Sequence, residues 1–239
     1  MSTAAVIIIG DEILSGKFAD ENGPYFIRRL RTLGVDLRRL VTISDDLDAI
    51  ADEVRRCAAT FDHVFTTGGV GPTHDDITFE GVARGLGLPL QVDPELLALA
   101  ERHGFPKDGG TLRMATVPAG MERITGAAQI FPVLRVQNIY VMPGIPALVK
   151  QQFEYIAPSL EGVAVRCVRV YAHNLESDIA VALSDIAAAH RGVAIGSYPR
   201  FGDKAHRLVV TLESRDDDAL TLAVDAVRGI LDTVQVDGP

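Results

Sequence analysis

A glycine-rich segment, residues 66–78, carries the side chains and backbone groups best suited to chemistry. Three glycines within four positions leave backbone N–H groups uncovered, and two adjacent carboxylates follow: the residues are Gly68, Gly69, Gly71, Asp75 and Asp76. Uncovered amides at the start of a helix form a seat for a phosphate or pyrophosphate. Carboxylates beside a phosphate indicate a bridging divalent cation or acid–base chemistry. The alternative is a tight turn whose carboxylates only cap a helix.

A second polar segment directly follows the first apolar run of the chain, Ala4–Ile9. Its candidate residues are Asp11, Glu12, Lys17 and Asn22. Because the carboxyl ends of parallel strands meet at one edge of a sheet, we expect Glu12 to lie near Asp75. Read alone, the first two carboxylates are equally consistent with a solvated turn, but together with the glycine segment they indicate a shared site.

Two further groups are candidates for binding phosphate. Arg113 offers a cation for a phosphate oxygen, although a single arginine is more often a surface residue. Residues 143–146 (Pro-Gly-Ile-Pro) precede a predicted helix whose N-terminus would face an anion. A rigid turn is the equal alternative for that segment.

The sequence excludes several common catalytic patterns. Residues 69–74 lack the third glycine of the dinucleotide-binding fingerprint, and residues 10–18 are one residue too long for a P-loop. No serine stands in a nucleophile-elbow pattern. The histidines outside the glycine segment lack metal-ligand spacing, so nucleophilic catalysis and a histidine metal site have no support.

Alternating strand and helix patterns must position these segments. The predicted strands are Ala4–Ile9, Leu37–Ile43 and His63–Thr67, followed by a hairpin of Val133–Val136 and Ile139–Met142. Helices between the strands predict a mostly parallel sheet covered on both faces, in an α/β domain over residues 1–160. Ser44 or Asp45 is expected to cap the helix after the second strand, and residues 107–129 are expected to be loop-rich.

The remainder of the chain predicts a separate small domain. Residues 158–162 read as a linker, and residues 163–239 follow the order strand, helix, strand, strand, helix. That order predicts a small α+β domain.

Composition restricts the classes of partner. The chain has 239 residues, 47% of them hydrophobic, and a formal net charge of −9. An ordinary apolar fraction excludes general disorder, and the acidic balance argues against nucleic acid or an anionic membrane as partner. The first apolar run is far shorter than the ~20 residues of a membrane span. Two isolated cysteines suit a reducing compartment, so we expect a cytoplasmic protein.

Three motifs together resemble the molybdopterin-binding domain family, and more narrowly its branch in CinA (competence/damage-inducible protein A) and at the N-terminus of FAD synthases. They are residues 10–16, 67–78 and 143–146, within a resemblance that covers residues 4–157. Residues 131–141 are similar to the FAD-synthase-like branch. The small domain resembles the one that follows in those proteins, which is KH-type in CinA-like chains. Residues 113–115 and 126–130 depart from the CinA-like pattern.

The resemblance implies a three-layer α/β/α fold with a cleft for a pterin or nucleotide pyrophosphate. The motif positions that it carries over are Asp11, Glu12, Gly68, Gly69, Gly71, Thr73, Asp75 and Asp76. Members of the CinA-like and FAD-synthase-like branches act as metal-dependent pyrophosphatases on ADP-ribose and FAD. Relatives form dimers and trimers, so self-association is expected.

The leading hypothesis is therefore a metal-dependent hydrolase of a nucleotide pyrophosphate of the FAD or ADP-ribose type. Asp75, Asp76 and Glu12 are assigned to catalysis, and together with Asp11 they are assigned to a Mg²⁺, Mn²⁺ or Co²⁺ ion. The glycines, Thr73, Lys17, Asn22 and Arg113 are assigned to the phosphate or pterin. The alternatives are a non-catalytic molybdopterin-binding protein and a structural subunit with a vestigial cleft.

Overall fold

A computed structural model of the chain describes residues 2–125, 131–160, 162–202 and 205–238. The contacts within the chain divide it into two units, residues 1–162 (unit 1) and 163–239 (unit 2). Among the described residues no helix has both the length and the apolar character needed to cross a bilayer.

Unit 1 alternates strands and helices. Its strands are β1 (Thr3–Ile9), β2 (Asp36–Ile43), β3 (His63–Thr67), β4 (Leu90–Val92), β5 (Thr116–Pro118), β6 (Glu122–Ile124), β7 (Val133–Val136) and β8 (Ile139–Met142). Its helices are α1 (Asp11–Leu14), α2 (Asn22–Thr32), α3 (Leu47–Thr60), α4 (Thr78–Leu86), α5 (Pro94–Arg102), α6 (Gly109–Met114) and α7 (Pro146–Ile156).

Six of these strands form one sheet in the order β2-β1-β3-β8-β7-β6. The strands β2, β1, β3 and β8 run parallel, while β7 and β6 join as antiparallel strands at one edge. The predicted hairpin of β7 and β8 is confirmed, with the residues expected. The predicted mostly parallel α/β fold class is confirmed.

The apolar run of β1 is buried on both faces of the sheet. Successive side chains of a strand point to opposite faces. Ala5, Ile7 and Ile9 pack in a cluster with α3 and α4, whereas Ala4, Val6 and Ile8 pack in a second cluster with α2 and α7. This double burial explains why β1 lacks the polar alternation of a half-exposed strand, and it places β1 at the centre of the unit.

Two features of unit 1, the segment after α5 and the cap of α3, differ from the sequence expectation. The region predicted to be loop-rich contains α6, β5 and β6. The Asp108 side chain caps α6 by accepting a hydrogen bond from the Thr111 amide (2.9 Å). Residues 126–130 of that region lie outside the described residues. The cap of α3 is Asp46 and neither Ser44 nor Asp45, since Asp46 Oδ1 accepts from the Ala49 amide (2.8 Å).

Residues 158–160, from the segment predicted to be a linker, are part of unit 1. A 3₁₀ turn, Ala157–Ser159, follows α7, and Leu160 is buried in the cluster with α2 and α7. Burial of this apolar side chain makes the segment the end of unit 1.

Unit 2 is a four-stranded antiparallel sheet with two helices. Its elements are β9 (Arg166–Ala172), α8 (Glu176–Ala189), β10 (Ala194–Pro199), β11 (Leu208–Ser214), α9 (Asp217–Arg228) and β12 (Thr233–Asp237), with strand order β10-β11-β9-β12. The predicted small α+β fold is confirmed. Strand β12 was not expected, because its valines, Val234 and Val236, are exposed on an edge strand and give no core pattern.

One buried carboxylate in unit 1 is held by arginines. Glu53 of α3 is 3% exposed, and it accepts hydrogen bonds from Arg39 of β2, from Arg56 and from the Cys57 thiol (3.1 Å). Burial opposes ionisation, but the hydrogen bonds from Arg39 and Cys57 prevail and lower the pKa of Glu53. The ionised carboxylate therefore stabilises the contact between α3 and β2.

We predict that Glu53→Gln lowers the free energy of unfolding by about 2 kcal/mol at neutral pH, because charge-assisted hydrogen bonds are lost. A carboxyl whose folded-state pKa is lowered stabilises the protein above its unfolded-state pKa, about 4.3 for Glu. That contribution disappears as the pH falls through the folded-state pKa. Urea unfolding of both proteins at a series of pH values measures the difference, which should narrow in acid.

The matched control is Asp52→Asn on the same helix, where the exposed pair with Arg55 contributes little. A difference for Glu53→Gln that stays constant down to the acid limit of the fold contradicts this account.

Candidate functional site

The candidate site lies where β1, β2 and β3 end at one edge of the sheet. The chain leaves β1 toward β2 on one side and leaves β3 toward the strands on the other side, so the two connections diverge and open a crevice at the carboxyl ends of β1 and β3. Gly10 follows β1, Asp45 stands just beyond β2, and Gly68 follows β3. Three separate stretches of sequence therefore meet at the crevice.

The glycine loop has a backbone that requires glycine. Gly68 and Gly69 have φ angles of +103° and +62°, and a Cβ atom on Gly68 would collide with the carbonyl oxygen of Ile9. Two carbonyl oxygens of the loop accept hydrogen bonds from Thr78, the first residue of α4. The Thr78 hydroxyl donates to Gly68 O (2.8 Å) and the Thr78 amide donates to Gly69 O (2.9 Å). The loop is therefore packed directly against the end of β1.

The loop leaves some of its amides available for a ligand. The Gly68 amide donates to Met142 O (3.2 Å). Over the part of the chain that the structure describes, the amides of Gly69, Val70 and Gly71 have no hydrogen-bond partner. Adjacent free amides in a glycine loop are a suitable seat for an anion.

The far side of the loop is held by Asp76, Thr73 and Arg113. Asp76 Oδ2 accepts hydrogen bonds from the Thr73 amide (2.8 Å) and hydroxyl (2.5 Å). The Arg113 guanidinium donates to the Thr73 carbonyl oxygen. One Asp76 oxygen is thus engaged within the loop, and Arg113 of α6 lies at the site, bound to the loop backbone.

A cluster of carboxylates faces this loop. The Asp11 amide donates to Asp45 Oδ2 (2.9 Å), which connects the end of β2 to α1. Burial raises the pKa of Asp45, and the charges of Asp11, Glu12 and Asp75 raise it further. Asp11, Glu12 and Asp75, from two other chain segments, therefore each lie within electrostatic range of Asp45.

Asp45 was missed as a candidate from the sequence. Because Asp45 stands between β2 and α3, the sequence predicts it, or Ser44, as the cap of α3. The residue that caps α3 is Asp46. The sequence feature that could have identified Asp45 as a site residue is its position just after a parallel strand, at the same sheet edge as Glu12 and Asp75.

Asp75 is exposed on the loop. Interaction with Thr73 lowers the pKa of its carboxyl, and the nearby His74 and Arg113 contribute in the same direction. Asp75 is accordingly ionised at neutral pH and places a negative charge at the loop.

The carboxylates do not form a closed cage for a metal ion. Within the described residues no three His, Cys, Asp or Glu side chains are arranged as a ligand set. A cluster of hard oxygen donors fits a looser mode, in which one or two carboxylates share Mg²⁺ with substrate phosphates.

Two predicted residues have other contacts. Lys17 lies over the ring of Phe18, 5.7 Å from its centroid. Among the described residues, Lys17 forms no ion pair with the carboxylates of the site. Asn22 is buried, and its Nδ2 donates to Gly144 O (2.9 Å) and to Thr67 Oγ1 (3.3 Å). Asn22 therefore fixes the backbone around the crevice.

A cleft of about 550 Å³ extends from the crevice into unit 1. Its polar end is formed by Glu12, Asp76 and residues 68–71. Its other end is an apolar lobe, lined chiefly by Leu96, Leu99, Phe105, Met114, Phe131 and Leu148. A cleft with one polar end and one apolar end suits a ligand that joins a charged group to a flat ring.

Comparisons with known proteins agree with this architecture. Residues 5–162 match the family model described as a probable molybdopterin binding domain, and residues 164–237 match that of the middle domain of FAD synthase. The chain belongs to the molybdopterin-binding domain family, as the resemblance of its motifs predicts.

Relatives come from both expected branches. A probable FAD synthase of Caenorhabditis elegans is 31% identical over an alignment of 258 positions, gaps included, that covers 96% of this chain and 50% of that protein. A CinA-like protein of Syntrophus aciditrophicus is 32% identical over 230 residues, covering 89% of this chain and 54% of that protein. The chain spans about half the length of these relatives.

A solved structure shares the fold. The crystal structure of the protein CinA from Thermoplasma acidophilum, which is 30% identical, superposes with a TM-score of 0.61 over 66% of this chain and 98% of that chain.

We predict that Gly68→Ala lowers the free energy of unfolding by about 3 kcal/mol, because a methyl group meets the Ile9 carbonyl at a positive φ. The control is Gly87→Ala, which has a positive φ of 67° but nothing within 4 Å of the added Cβ, and should cost about 1 kcal/mol. Urea unfolding measures both. Equal costs for the two variants contradict the close approach of β1 and β3.

Proposed function

We propose that unit 1 binds a nucleotide pyrophosphate and hydrolyses its phosphoanhydride bond. The observation that carries the proposal is the row of free amides at Gly69, Val70 and Gly71, which lines one cleft with carboxylates and an apolar lobe. The relative named probable FAD synthase supports a nucleotide-processing role.

Binding would begin with the diphosphate. The free amides donate to its oxygens, and the start of α4 adds partial positive charge. Arg113 keeps the loop in this conformation through the Thr73 carbonyl. The apolar lobe takes the ring of the nucleotide, so charge and ring are recognised at opposite ends of the cleft.

Asp75, Glu12 and Asp76 serve the chemical step. Asp75 is ionised and accepts a proton from a water molecule. The water oxygen bonds to one phosphorus while the bond from that phosphorus to the bridging oxygen breaks. The bridging oxygen leaves with the second phosphate, so FAD yields FMN and AMP. Glu12 flanks the reacting phosphate, and Asp76 holds the loop.

A divalent ion, Mg²⁺, Mn²⁺ or Co²⁺, fits this site as the counterion of the substrate. When bound, it neutralises phosphate charge and polarises the phosphorus. Asp11 and Glu12 are the residues that would share it with the phosphate oxygens, which leaves Asp75 to accept the proton. The like charges around Asp45 favour a cation at this position.

The second candidate function is binding of molybdopterin without catalysis. The family description of unit 1 favours it. Tight pterin binding together with no release of mononucleotide from any dinucleotide would select this function over hydrolysis.

We predict that the protein releases mononucleotide from FAD or ADP-ribose with Mg²⁺, Mn²⁺ or Co²⁺, and that Asp75→Asn lowers kcat by about 100-fold, as expected for loss of a general base. Chromatography of the products measures the rate. Asp52→Asn, on the outer face of α3, is the control and should retain full activity. No turnover with any of the metals, or an Asp75→Asn rate equal to the control, contradicts the proposal.

We predict that Asp45→Asn raises the divalent-ion concentration for half-maximal activity by about tenfold and preserves the fold. The Asn oxygen still accepts the Asp11 amide, while one negative charge that attracts the cation is removed. Titration of activity against Mg²⁺ tests this, with circular dichroism as the check on folding. An unchanged Mg²⁺ requirement would show that Asp45 does not act on the cation.

A further inference from the structure

The cleft of unit 1 has room for a ring at one end only. Its apolar lobe lies on one side of the glycine loop, and its polar end contains Glu12 and Asp76. FAD and ADP-ribose carry a nucleoside or sugar on each side of the diphosphate. A ligand with one ring in the lobe and its diphosphate on the loop must therefore extend its other half past the polar end of the cleft.

The segment that follows α1 is tied to that polar end. The Phe18 amide donates to the Glu12 carbonyl oxygen (3.1 Å), and the Ser15 hydroxyl donates to the same oxygen (3.3 Å). The chain reverses between them at Gly16, which has a φ of +73°. Residues 15–18 therefore fold back onto Glu12, and Phe18 lies next to a residue that lines the cleft.

The Phe18 side chain is accessible to a ligand. It is 59% exposed, and Leu14 of the same segment is 54% exposed. The other phenylalanines of unit 1 are buried or half-buried. Single exposed apolar side chains are common on protein surfaces, but neighbouring ones beside a polar cleft are typical of a ligand-binding surface.

Lys17 adds a positive charge to this surface. Its Nζ atom lies 5.7 Å from the centroid of the Phe18 ring, a distance at which an ammonium group is attracted to the face of the ring. Because Lys17 forms no ion pair within the described part of the chain, its charge is available to a phosphate oxygen. A nucleotide presents a base and an anion together, and an aromatic ring beside a cation matches both.

We propose that Phe18 and Lys17 form a second nucleoside subsite, in which the Phe18 ring stacks on the base that the apolar lobe does not hold. This inference rests on the proposed function, because it assumes that the diphosphate lies on the glycine loop. Stacking on an aromatic ring is tolerant of base identity. The subsite therefore favours dinucleotides as a class over nucleoside diphosphate sugars.

The test compares two ligands that differ by one base. Diadenosine diphosphate has an adenine on each ribose, and ADP-ribose lacks one of the two. Dissociation constants are measured by equilibrium titration with Mg²⁺, with product formation followed to confirm that the ligand remains intact. The wild type should bind diadenosine diphosphate about tenfold more tightly than ADP-ribose, because one further base is stacked.

The protein variants separate stacking from folding. The single adenine of ADP-ribose is expected in the enclosed lobe, so Phe18→Ala should weaken only the binding of diadenosine diphosphate. The affinity ratio should then fall to about two, the statistical factor of a symmetric ligand. Phe18→Tyr keeps an aromatic face and should keep the wild-type ratio. Ile27→Ala, at another exposed apolar side chain of unit 1 (46%), is the control and should also keep it.

The outcomes distinguish the two levels of the argument. A wild type that binds both ligands equally, or a Phe18→Ala protein that retains the wild-type ratio, overturns the second subsite and leaves the proposed function intact. An Ile27→Ala protein that loses the ratio as Phe18→Ala does also overturns the subsite. A wild type that binds neither ligand overturns the proposed function and this inference with it.

Discussion

The close approach of β3 to β1 is the constraint on which the site depends. Gly68 packs against the Ile9 carbonyl so tightly that no side chain fits between them. The two loops that follow these strands therefore leave the sheet side by side, although they are far apart in sequence. Burial of β1 on both faces holds this edge of the sheet in place, so the hydrophobic core also fixes the position of the site.

The site combines groups that attract an anion with groups that repel it. Free amides of the loop favour a diphosphate, whereas Asp11, Glu12, Asp45 and Asp75 disfavour it. Such an arrangement is unfavourable when empty and becomes favourable when a cation lies between the carboxylates and the phosphate. Proteins keep unfavourable charge clusters of this kind where they bind or react, and rarely where they only fold.

Much of the fold was predictable because it follows from local patterns. A continuous apolar run marked β1, and the strand His63–Thr67 and the hairpin of β7 and β8 were located to the residue. The edge strand β12 escaped prediction, since its valines enter no core. Asp45 and Gln152, a buried residue of α7 that lines the cleft, escaped for a different reason. Asp45 contacts Asp11, and Gln152 contacts Pro132. The two partners in each contact are distant in sequence, and a local sequence pattern cannot predict such contacts.

The proposed function requires the amides of Gly69, Val70 and Gly71 to hold a diphosphate. This is tested by the change in backbone amide NMR resonances of the isotope-labelled protein on addition of ADP-ribose with Mg²⁺. These three amides should show the largest downfield shifts, because each gains a charge-assisted hydrogen bond. Saturating shifts confined to other parts of unit 1, with these three unmoved, would contradict it.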